Sequence, residues 1–253
     1  MKLASLPQGR DGRLIVVSDD LAWYADADHV VPTMQRLLDE WDRHADLLES
    51  LSIELAHGAI PRKRFHEREA AAPLPRTFHW TDSADALRHQ PGDGLMGARD
   101  PLRRPGTSAV GLVTMTADVP QGATAAQALA RIRLVGLAHA VAVQSAPGAT
   151  GHFSPVFVTP QALGDAWADG ALTMPLKVTR GDQAQDVKLP PTLGDTIAGL
   201  AAERALAAGT LVSLSAPLPG APLEPGETLR VEARNAAGRT LFGAIEQAVH
   251  VPA

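Results

Sequence analysis

The chain has no cysteine, which excludes disulfides, a thiolate nucleophile and Cys-ligated zinc or iron–sulfur sites. Aromatic side chains are only 4% of the residues, so the core has to be built mostly from Ala, Val, Leu and Ile. Acidic residues are absent between Asp118 and Asp165, and Pro101–Gly164 contains Asp118 alone. Mg²⁺ and Ca²⁺ take oxygen ligands, chiefly from Asp and Glu. That stretch therefore lacks the ordinary means of holding a hard cation. No apolar run approaches the length of a membrane span, and the first ten residues contain no uninterrupted apolar h-region. A basic excess is missing too: residues 1–100 carry 17 acids against 12 Lys and Arg, and residues 101–253 carry 11 of each. This is not the electrostatic footprint of a nucleic-acid binder. A soluble cytoplasmic protein is expected, without membrane or nucleic-acid partners.

What is present is a mixed pattern dominated by short strands. Arg13–Ser18 and Ala22–Ala25 are apolar runs around an acidic turn at Asp19-Asp20. Pro32-Thr33 opens a helix in which Met34, Leu37, Leu38, Trp41, Ala45, Leu48, Leu51 and Leu55 recur at three- and four-residue steps, stopped by Gly58. Ile60–Arg76, with three prolines and the run Arg62-Lys63-Arg64, is expected to be a linker. Further on, Ser108–Thr116, Ile132–Val143, Ser154–Val158, Ala171–Thr179, Thr210–Ser215, Thr228–Arg234 and Thr240–Val249 are strand-like. The last two are joined by the hairpin signal Asn235-Ala236-Ala237-Gly238. Helices are expected from Thr159-Pro160, where Thr can cap, and from about Gly194 to Ala208.

Few motifs carry chemistry. Gly92-Asp93-Gly94-Leu95-Met96-Gly97 matches G-x-G-x-x-G by letter, but Pro91 precedes it and Pro101 follows. A dinucleotide site needs a strand before and a helix after. No G-x-S-x-G occurs, and His66-Glu67 has no second histidine at zincin spacing. His139 sits in the apolar run Leu134–Val143, where a hydrogen-bonded core histidine is the plain reading. His152 is in the Gly-rich loop at Pro147–Gly151, where a plain loop histidine is the first reading and a cleft-lining one the alternative. Asp118-Val119-Pro120-Gln121-Gly122 has the look of a turn in which Asp bonds its own backbone.

Together these pieces resemble the long bacterial form of the fumarylacetoacetate hydrolase family. The likeness rests on Met1-Lys2-Leu3-Ala4 with Asp11–Ser18, Pro32-Thr33 before Leu38-Asp39-Glu40-Trp41, and Ala72–Arg76 with Phe78-His79-Trp80. Gly97–Asp100, Gly122-Ala123-Thr124, Phe153–Pro160, Gly226–Glu232 and Phe242–Gln247 extend it along the chain. The resemblance implies a predominantly β, α+β fold, with a small N-terminal α/β domain over residues 1–75 and a β-roll domain over residues 76–253. It also implies a homodimer, a setting in aromatic catabolism and a small keto-acid ligand. Enzymes of that family cleave a C–C bond beside a carbonyl, with Mg²⁺ or Ca²⁺ stabilising the enolate.

Carried over by position, the family's metal ligands fall on Asp93, on Ala109 and Gly111 for a Glu-x-Glu pair, and on His139 for a later Asp. Ala146, in Gln144-Ser145-Ala146-Pro147, replaces a lysine that assists the leaving group. The segments carrying the family's catalytic His–carboxylate pair and a lid are missing around residues 83–93 and 140–145. Three of four ligands are thus lost, and imidazole suits transition metals better than Mg²⁺. The expectation is a relative without cofactor or C–C hydrolase activity, kept as a small-molecule binder or partner protein. The alternative is an active hydrolase or lyase on an acylpyruvate-like 2-keto acid, with a rebuilt site that uses Asp93, His139 and His152.

Overall fold

The structure is a computed structural model that describes residues 1–77, 79–82, 95–102, 106–142 and 149–249. Three antiparallel strands open it: β1 (Lys2–Leu6), β2 (Arg13–Val17) and β3 (Trp23–Asp26). The helix expected after Thr33 is broken in two, α1 (Met34–Asp39) and α2 (Trp41–His57). Glu40 leaves helical geometry at φ −125°, ψ 39°, and its carboxylate meets Arg36 on one side of the break and Arg43 and His44 on the other. Thr33 caps α1 by accepting the Arg36 N–H at 3.2 Å. Gly58 ends α2 in the left-handed region at φ 66°.

The expected linker contains a short edge strand, β4 (Lys63–Arg64), and a 3₁₀ turn at Glu67–Glu69. Its basic triplet is occupied. Arg62 and Arg64 lie 4.4 and 3.9 Å from the centre of the Trp23 ring, and Lys63 donates to Asp26 at 2.6 Å.

Strands β5 (Trp80–Asp82), β6 (Leu95–Met96) and β7 (Thr107–Thr116) follow. Helix α3 (Ala125–Leu129) was not expected, although Thr124 and Gln127 form a full capping box there. After it come β8 (Ile132–Ala142), β9 (Ala149–Phe153), β10 (Phe157–Val158) and α4 (Pro160–Leu163). The expected strand Ser154–Val158 is shorter because the chain bends at Pro155, and Ser154 braces the bend. Its hydroxyl accepts from the Leu137 N–H and donates to the Val156 carbonyl. Thr159 does flank α4, but its hydroxyl makes no cap bond.

The chain finishes with a small hairpin, β11 (Trp167–Ala168) and β12 (Ala171–Leu172), then β13 (Leu176–Arg180), β14 (Gln183–Val187), α5 (Leu193–Leu200), β15 (Leu211–Pro217), β16 (Thr228–Arg234) and β17 (Thr240–Ala248). Helix α5 stops eight residues short of the expected end. Residues beyond it turn back to pair with the loop after β7, through Val119 and Leu206. In that loop Asp118 does not bond its own backbone; its carboxylate accepts the Ala208 N–H at 2.9 Å.

Pairing makes one large sheet in the order β4-β3-β2-β1-β10-β8-β7-β15-β5, with β9 beside β8 and β6 beside β9. It runs without interruption across residue 75, because β1 pairs with β10. A second sheet, β14-β13-β16-β17, packs on one face through Val110, Leu112, Leu137, Val178, Val231 and Ile245. Helices α1 and α2 cover the other face over Leu3, Leu14 and Val16. An alternating charge ladder crosses the outside. Arg99 joins Glu67 to Glu246, Arg230 joins Glu246 to Glu232, and Arg234 ends it on Glu232.

Candidate functional site

Strand alternation fixes which expected ligand positions can meet. In an antiparallel pair, directly opposed residues share a face and neighbours along one strand do not. His139 is opposed by Val110 on β7 and by His152 on β9. Ala109 and Gly111 are opposed by Ala140 and Ala138, so they point to the other side of the sheet. A cleft bordered jointly by Ala109, Gly111 and His139 is therefore corrected by the register. Motif letters do not define register, and a slip of one residue exchanges the two faces.

The face carrying Ala109 and Gly111 is the inside of a curl. Trp80 on β5 and Phe153 on β9 are separated in the sheet by β15, β7 and β8, yet their rings meet edge-to-face at 5.3 Å. Trp80 is fully buried, and its indole N–H donates to Ser213 at 2.8 Å. Small residues make room for it: a Cβ placed on Gly151 would lie 2.6 Å from the indole Cζ3. Gly111 is tighter still. A Cβ there would lie 2.6 Å from Ser215 Cα, with the Leu214 carbonyl oxygen closer. Both obstacles are backbone, so position 111 has no room for any side chain.

On the opposite face His139 and His152 lie fully buried, ring centroids 6.1 Å apart. His139 Nδ1 meets Gln247 Oε1 at 2.6 Å, and Nε2 meets the Ser108 hydroxyl at 3.0 Å. An amide oxygen only accepts, so Nδ1 carries the proton and Nε2 accepts from Ser108. Burial lowers the His139 pKa to about 4, against the opposing effect of the Gln247 bond. His152 is lowered to about 3, by burial first and by the His139 charge second. The Gly97 backbone is near enough to oppose this, but neither ring nitrogen of His152 makes a well-formed hydrogen bond among the described residues. Gln247 Nε2 is likewise buried and unpartnered among them. A cavity of about 50 Å³, bordered by Arg180, Gln185 and Leu218, reaches Ser108 from outside.

Sequence reasoning thus identified His139 and His152, which the fold brings together. It missed Ser108, Gln247 and Trp80. Ser108 and Gln247 become legible only when β17 is laid over β7 and β8. Asp93 and Ala146 lie outside the described residues. Among the described residues no three His, Asp or Glu side chains gather as a metal cluster. The groups beside His139 are a hydroxyl, an amide and a second imidazole, whereas Mg²⁺ and Ca²⁺ call for carboxylate oxygens. The residues present do not fit such an ion.

Comparison with known proteins agrees with the sequence resemblance. Residues 1–76 match the family described as fumarylacetoacetase N-terminal domain 2. No curated protein matches the sequence. Among solved structures, maleylpyruvate hydrolase from Sphingobium sp. SYK-6 superposes with a TM-score of 0.73 at 17% identity, covering 99% of each chain. The same enzyme in complex with manganese (II) ion and pyruvate gives 0.72, again at 17% identity and 99% coverage of both chains. A fumarylacetoacetate hydrolase from psychrophilic Exiguobacterium antarcticum gives 0.69 at 16% identity, covering 100% of both. At these identities the likeness is one of fold, and it runs the length of the chain. Among the described residues no helix is long and apolar enough to cross a membrane.

Proposed function

We propose, from the premise that this chain has the fumarylacetoacetate hydrolase fold end to end, that it has lost the divalent-metal site and the C–C bond hydrolysis that go with that fold. In this reading it persists as a small-molecule-binding protein, with a small keto acid as the ligand class and a homodimer as the working form. One observation carries the proposal. At Gly111 the backbone of β15 stands where a ligand side chain would have to begin, and the indole of Trp80 closes over the same face. Carboxylates supply the charge that lets a cation leave its hydration shell, and among the described residues no three His, Asp or Glu side chains gather to do so. The test is direct. Purified protein incubated with an acylpyruvate and Mg²⁺ or Mn²⁺ should show no cleavage above the rate without protein. Metal-dependent turnover would overturn the reading.

A second reading has its own motive. Three buried nitrogens, two on His152 and one on Gln247, make no well-formed hydrogen bond among the described residues, and a bound polar ligand would satisfy them. This favours a rebuilt hydrolase or lyase site in which Gln247 holds the His139 tautomer and His139 Nε2 takes the proton of the Ser108 hydroxyl. If the protein turns over a 2-keto acid, His139→Ala should abolish that activity. An unchanged rate would remove this reading.

A further inference from the structure

A cavity of about 450 Å³ lies between the start of β1, the turn after β2, helix α4 and the β16–β17 hairpin. Its lining includes neither buried histidine and no residue of β5, β7, β8, β9 or β15. Lys2 and Arg239 both line it, with Met174 and Leu241 forming part of an apolar wall. Lys2 is only 7% exposed, and Lys is seldom buried so deeply unless paired. Here its ammonium donates once, to the Asp19 backbone carbonyl at 2.9 Å, which leaves two N–H donors. Arg239 is exposed, and its guanidinium makes no hydrogen bond among the described residues. Neither cation has a carboxylate within ion-pairing distance among those residues.

Two cations thus lie at one cavity with no ion-paired carboxylate among the described residues, although Asp19 and Asp165 share its lining. We infer that this cavity binds a small organic anion, a carboxylate or a phosphate ester, whose charged group bridges Lys2 and Arg239 while its carbon skeleton rests on Met174 and Leu241. Burial lowers the pKa of Lys2; the nearby Asp19 carboxylate opposes this and helps keep the ammonium charged. Arg239 pushes it the same way as burial, and a bound anion would relieve that like-charge conflict. Asp19 and Asp165 also line the cavity and are both exposed, so they limit affinity at low salt.

The site stands apart from the proposed loss of hydrolysis, because its test involves neither metal nor turnover. Inorganic phosphate and succinate are titrated separately into the full-length chain, and amide chemical shifts of residues 235–241 are followed by NMR. At least one anion should bind saturably with a Kd of roughly 1 mM. Arg239→Gln and Lys2→Met should each weaken it about tenfold, the loss expected for one charge-assisted hydrogen bond. Asp19→Asn should tighten it by removing a repelling charge. Preference for phosphate would assign phosphate esters, and preference for succinate organic acids. Absence of saturable binding by both anions, or an affinity unchanged in Arg239→Gln, would overturn the inference. Arg239 is exposed, so its replacement decides the matter even if Lys2→Met does not fold.

Discussion

Acidification from pH 7 to pH 4 is expected to destabilise the protein by on the order of 5 kcal/mol through His139 and His152 alone. Both are buried neutral, with pKa values lowered to about 4 and about 3 from the ordinary 6.5. The direction follows from linkage. Below pH 6.5 the unfolded chain takes up two protons that the native state refuses until its own lower pKa values are reached. The full contribution is therefore present above pH 6.5 and is lost as pH falls from 6.5 towards 4 and 3. With both sites responding, the slope approaches about 3 kcal/mol per pH unit. Paired carboxylates such as Asp11 and Glu227, held below their usual range by Arg76 and Arg180, add to the acid loss. Their share is removed by comparing variants. Urea midpoints of the parent and His152→Leu between pH 7.5 and pH 4.5 should diverge, the variant having about half the histidine-dependent slope. Identical pH dependence would mean that His152 is hydrated or paired in solution.

Placing carboxylates at Ala109 and Gly111 is expected to unfold the protein and not to create a cation site. Gly111→Ala alone should cost about 3 kcal/mol or more, because its methyl meets β15 backbone in the middle of the sheet. Gly111→Glu adds an uncompensated carboxylate in a face already filled by Trp80 and Phe153. Thermal melting of Gly111→Ala tests the steric half. An unchanged transition would show that β15 moves aside freely. An Ala109→Glu/Gly111→Glu protein that folds and binds Mg²⁺ calorimetrically would defeat the account of this face.

Much of the fold was legible because the strongest signals are local. The periodic leucines of α2, Gly58 at its end and Asn235–Gly238 in the last hairpin each sit where their side chains or backbone freedom require. Other elements depend on distant partners. Strand β14, Gln-Ala-Gln-Asp-Val, has no apolar alternation and exists because β13 pairs with it. Helix α3 carried a readable signature in Thr124 and Gln127, but it is only five residues long. Of the site, His139 was legible as a histidine in an apolar run, whereas His152, read as a loop residue, lies buried on β9. Its geometry was not, because one residue of register separates a shared face from an opposed one.

The hydrogen bonds between β1 and β10 bear on how the polypeptide can be divided. Cutting the chain near residue 75 would strip β1 of a neighbour and leave a bare row of amides and carbonyls along an apolar strand. Such a border recruits whatever strand comes near, including another copy of itself. The first 76 residues, recognisable by themselves in sequence, are thus stitched into their neighbour so closely that excision should yield a sticky fragment instead of a free-standing module.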